Sequence, residues 1–160
     1  VTHPPARRVV VGLGAPDRGD DAVGPTVARE VAAVLAQRPV PGVEVLERED
    51  PTALLDVWAG AELTVVCDAV RSGSPPGTLH VVRTGKDLPP LTEGHVQEAG
   101  SHDFGLASAI ELARALGRLP EHVVVVGVEA RSFEWGEPLT RQVAGAVPSA
   151  VAEVMALLRS

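Results

Sequence analysis

Two adjacent carboxylates, Asp20 and Asp21, follow a glycine turn in the stretch RVVVGLGAPDRGDDAVG at residues 8–24. A third, Asp68, lies near the end of the apolar run LTVVCDAV at 63–70, and an imidazole, His102, stands at the predicted start of a helix. Asp21 (with its neighbour Asp20), Asp68 and His102 make a three-ligand set suited to a divalent ion such as zinc or nickel. Three protein ligands leave positions open for water and a substrate group, as hydrolytic metal chemistry requires. In the first turn of a helix, the positive end of the dipole disfavours the imidazolium form, and a metal needs neutral imidazole.

Each residue also has a plainer reading. Asp20 and Asp21 suit the start of a helix as caps. Asp68 after a buried strand is equally a turn former. His102 taken alone is better read as a surface histidine, because Ser101 already supplies a cap. Their convergence at one sheet edge is what argues for a site. In open α/β sheets ligands bind outside the carboxyl ends of the strands.

Other chemistries fit less well. Gly12-Leu13-Gly14 begins like a dinucleotide fingerprint, but Asp17 stands where its third glycine belongs, and the acids there repel a pyrophosphate. Gly85-Lys86 is followed by Asp87, so there is no Walker-type loop, and no G-x-S-x-G elbow occurs. Cys67 with His102 as base would be a nucleophile pair, yet a thiol inside an apolar strand is expected to be buried and inert. Glu129, after the run VVVVGV, either shapes the site or pairs with an arginine. His3, His80, His95 and His122 show no partner spacing and receive no role.

The elements that must position these groups alternate along the chain. Strands are expected over about 8–13, 42–47, 63–70, 79–82 and 123–128, the last being the most apolar and expected to be central. Val23, Val27, Val31 and Val34 recur at helical spacing, which predicts a helix to about residue 37. Shorter helical signals cover 52–59, with Asp50-Pro51 ahead of them, and a helix capped by Ser101 and stopped by Gly117. A last helix covers 138–158, with a possible break at Pro148. Residues 71–77, 84–100 and 130–137 read as loops, and the long one is expected to be functional or mobile. This order predicts an α/β protein: one three-layer α/β/α domain over 1–160, phosphorylase/hydrolase-like, with a mainly parallel, twisted mixed sheet and a flexible arm at 1–7.

Composition narrows the partners. A net charge of −7 argues against nucleic acid and anionic membranes. One cysteine excludes an intrachain disulfide, and no run reaches membrane-span length. The N-terminal stretch lacks the apolar core of a secretory signal, so the expected location is cytoplasmic.

The stretches VVVGLGAPDRGDDAVGP at 9–25, VVCDAV at 65–70, SHDFGLASAIELARALGRLPEHVVVVGVEA at 101–130 and EPLTRQVAGAVPSAVAEVMALL at 137–158 resemble the maturation endopeptidases of [NiFe]-hydrogenases. The resemblance covers nearly the whole chain in order. It implies a single cut that removes the C-terminal extension of a hydrogenase large-subunit precursor after nickel insertion. It implies metal contacts at Asp21, Asp68 and His102 toward nickel held by the precursor, with zinc or cadmium as alternative occupants and no permanent cofactor. Asp21, or Asp20, is the candidate general base of an aspartyl-type or metal-assisted cleavage. The expected partner is the precursor, met by a monomer. The family usually carries Asn after the second glycine and Gly after the acidic pair, where this chain has Ala15 and Ala22. The alternative is a noncatalytic module of the same fold that binds nickel or a metalloprotein precursor.

Overall fold

The structure, a computed structural model, describes residues 3–89 and 105–160. Among the described residues five strands form one sheet: β1 (Arg8–Leu13), β2 (Val43–Arg48), β3 (Leu63–Val70), β4 (Leu79–Thr84) and β5 (His122–Glu129). Their order is β2-β1-β3-β5-β4, all parallel except β4, which runs antiparallel to β5. The mainly parallel mixed sheet is as expected. The centre belongs to β3, and the apolar β5 lies between β3 and β4.

Valine dominates because these strands are covered on both faces, where β-branched side chains pack well on a pleated surface. On one face Val10, Val65, Cys67, Val124 and Val126 pack against α1 (Val23–Gln37) and α4 (Arg141–Arg159). On the other, Val9, Val11, Val66, Val123 and Val125 meet α2 (Leu54–Val57), Trp58 and α3 (Leu106–Ala115). Those are the three layers.

Several boundaries differ from expectation for local reasons. The 52–59 signal resolves into a 3-10 turn (Pro51–Ala53), capped by the Asp50 side chain at the Thr52 amide, and the one-turn α2. Among the described residues helix α3 opens at Leu106, after Gly105 in extended backbone. Ser101 and His102 lie outside the described residues. Helix α4 runs unbroken through Pro148, which sits on its exposed face, where water can satisfy the carbonyl of Ala144 freed by the missing N–H. The arm is anchored at its last residue: the Arg7 guanidinium donates to the carbonyls of Ala59 and Val57, and its own carbonyl accepts from the Glu62 amide. Among the described residues no helix is long and apolar enough to cross a membrane.

Candidate functional site at the carboxyl edge

The first turn of α1 meets the ends of β1 and β3 backbone to backbone. A methyl group on Gly24 would lie 2.3 Å from the Leu13 carbonyl oxygen and 2.5 Å from that of Cys67. Only glycine allows this approach, and it seats the 3-10 turn Gly19–Ala22, which carries both acids, against β3, the strand that carries Asp68. Gly14 has φ +141, and a side chain there would run into the Asp21 carbonyl at 2.0 Å.

The two adjacent acids face different tasks. Asp20 is fully buried, and its carboxylate accepts hydrogen bonds from the amides of Arg131 (2.8 Å), Ser132 (3.0 Å) and Thr140 (2.7 Å) and from the Thr140 hydroxyl (2.9 Å). The loops are further joined by the Gly19 amide to Glu137, the Asp20 amide to Ser132 and the Gly136 amide to Asp17. Asp20 therefore latches the loop at 130–137 onto the loop at 15–20. Asp21, 5% exposed, accepts the Ala15 amide at 2.8 Å through Oδ2. A backbone amide does this, so Ala15 serves as well as any other side chain for that contact. Asp68, 4% exposed, accepts the Ala69 amide at 2.9 Å.

Asp21 and Asp68 thus come to the same edge, while the third expected ligand, His102, lies outside the described residues. Among the described residues no group of three His, Cys, Asp or Glu side chains is arranged to hold a metal. Cys67 is 1% exposed, and burial, with Asp68 alongside, pushes its thiol up to about 12. It is an inert core thiol at neutral pH.

Glu129 pairs with no arginine. Its carboxylate accepts from the Ser72 hydroxyl (2.6 Å) and amide (2.8 Å) and contacts His80 Nε2 at 3.0 Å. Burial pushes this carboxyl up, but the Ser72 and His80 contacts outweigh it and hold it below its ordinary value. His80, given no role from spacing, is placed by the antiparallel return of β4, which sets it opposite Gly127. Nothing in the sequence reveals that pairing. Together Ser72, His80 and Glu129 fasten the loop that follows β3, close behind Asp68.

A second group also escaped sequence reading. The Arg18 guanidinium lies 5.6 Å from the Phe133 ring centroid and 5.5 Å from that of Trp135, and Arg71 lies 4.8 Å from Phe133. Its aromatic half was visible as a loop with two rings; its cationic half was not.

The fold and this edge define an α/β protein with carboxylates gathered where the topology exposes ligand sites. A model of the hydrogenase maturation protease family, HycI, matches residues 27–157. The hydrogenase expression/formation protein HupD of Rhizobium leguminosarum bv. viciae is 32% identical over 97 residues, covering 60% of this chain and 46% of that protein. HoxM of Cupriavidus necator is 31% identical over 100 residues, covering 62% and 48%. The chain spans about half the length of the curated relatives it matches. The solved hydrogenase maturating endopeptidase HybD from E. coli superposes with a TM-score of 0.74 at 28% identity, over 96% of this chain and 92% of that one. The chain belongs to the hydrogenase maturation protease family, as the motif resemblance implied.

Proposed function

We propose that this chain is an endopeptidase that removes the C-terminal extension of a [NiFe]-hydrogenase large-subunit precursor after nickel insertion. The observation that carries the reading is Asp21. It is a buried carboxylate, oriented by the Ala15 amide beside the Asp68 strand end, on a fold that matches HybD along almost its entire length.

Nickel belongs to the substrate in this reading. Asp21, Asp68 and His102 engage the ion held by the precursor and so register the scissile bond against the sheet edge. Water then attacks the carbonyl carbon as the C–N bond breaks. A carboxylate base takes the water proton and passes it to the departing amine. The Asp20 carboxylate is occupied by the donors of Arg131, Ser132 and Thr140. Asp21 is thus the better placed base, and Asp20 supports it by fixing the loop. The substrate's nickel can also polarise the carbonyl or the water. A cytoplasmic location and action as a monomer belong to the same proposal.

The test is the intact mass of the host's large-subunit precursor, loaded with nickel and incubated with the protein. Loss of a C-terminal peptide is expected with the wild type and not with Asp21→Asn, nor from nickel-free precursor. Asn keeps an oxygen for the Ala15 amide, so the variant should remain folded by circular dichroism. An unchanged mass with a precursor known to be competent would overturn the protease reading in favour of a noncatalytic binding module.

A further inference from the structure

We propose that Arg18, Arg71, Phe133 and Trp135 form a shelf that recognises an acidic residue of the extended peptide segment brought to the carboxyl edge. The inference rests on the endopeptidase reading for the identity of that segment, and its own test does not require cleavage.

Position comes first. Arg18 lies in the same loop as the acids, and its carbonyl accepts the Asp21 amide. Arg71 follows directly on β3, three residues after Asp68. Phe133 and Trp135 ride on the loop that Asp20 latches in place. The shelf is thus built from the segments that carry the candidate site, and a chain lying along the edge would cross it.

Charge and exposure come next. Two guanidiniums share the Phe133 ring, and among the described residues neither makes an ion pair, although Asp17, Glu134 and Glu137 lie exposed on the same two loops. The Arg18 Nε is buried without a hydrogen-bond partner. Ring faces orient these cations without neutralising them. Guanidinium presents donors in a planar fork that matches a carboxylate. Trp135 is 69% exposed, more than any other large apolar side chain described, and it offers a flat face to the peptide next to that carboxylate. In a chain of net charge −7, this uncompensated cationic pair at the edge suits an anionic group rather than a second basic one.

The molecule carries its own reporter. It has two tryptophans and no tyrosine; Trp58 is fully buried and Trp135 is exposed. Tryptophan emission would be titrated with two capped hexapeptides, identical except that one carries two Glu where the other carries two Gln. The Glu peptide is expected to shift the emission saturably and to bind about tenfold tighter than the Gln peptide, a preference that collapses between about 0.05 and about 0.5 M salt. Arg71→Gln, at an exposed position, should remove most of the preference, and Arg71→Lys should restore only part of it. Equal binding of the two peptides, no saturable change with either, or an undiminished preference in Arg71→Gln would each overturn the shelf. In the processing assay Arg71→Gln should raise KM several-fold while lowering kcat less. Charge-selective binding without any cleavage by the wild type would sink the protease reading and leave the shelf standing. Cleavage with an unchanged KM in Arg71→Gln would do the reverse.

Discussion

Asp20 and Asp21 are neighbours of one chemical type, and only the structure separates their tasks. Asp20 holds amides of two loop segments from a fully buried position; Asp21 accepts the Ala15 amide at the edge to which β3 brings Asp68. Removing the Asp20 carboxylate leaves the donors of Arg131, Ser132 and Thr140 without it. Asp20→Ala should therefore lower unfolding stability by about 3 kcal/mol in urea titrations, with the Phe133–Trp135 loop loosened first. A change below about 0.5 kcal/mol would show that the latch is ornamental. Which of two adjacent acids is structural depends on a loop more than a hundred residues away, and single-chain spacing holds no record of that contact.

At the scale of elements, α4 offers a sharp test. Pro148 sits inside the helix on its exposed face, so Pro148→Ala returns a backbone donor for the Ala144 carbonyl without disturbing the buried Val143, Val147 and Val151 face. The substitution should stabilise the protein by about 1–3 kcal/mol, read as a raised urea midpoint with an unchanged slope. Loss of stability would mean that the proline has a packing role. The sequence already showed most elements. β1 and β3 lie where their valine runs put them, and the valines of α1 face the sheet as their spacing predicted. One expectation fails for a physical reason: the sequence allows a break at Pro148, yet α4 continues through it because the carbonyl it frees is on the wet face. The described part of α3 opens at Leu106, and the Ser101 cap lies outside the described residues.

Across the whole molecule, the Glu129 network ties the β3 loop to β4 and β5 and should set part of the acid sensitivity of folding. Its carboxyl sits below the ordinary value of 4.5 in the folded state. The stability it contributes is therefore complete above that value and is lost as the pH falls through the lower, folded-state value, because the unfolded chain takes up the proton first. Glu129→Gln should lower the urea midpoint at pH 7 and flatten its decline between about pH 5 and about pH 3. Parallel curves for the two proteins would remove Glu129 from that role. His80 faces the same carboxylate, so His80→Gln should weaken the network while Ser72 still holds the acid.

The single thiol offers a different kind of access. Cys67 lies in the central strand, and burial leaves it both unreachable and protonated at neutral pH. Alkylating reagents can reach it only when the sheet parts, so its labelling rate becomes a clock for the rarest openings of the native state. The same silence makes a cysteine placed anywhere on the surface the only one that reacts, and spectroscopic labels can then be set along the carboxyl edge one position at a time.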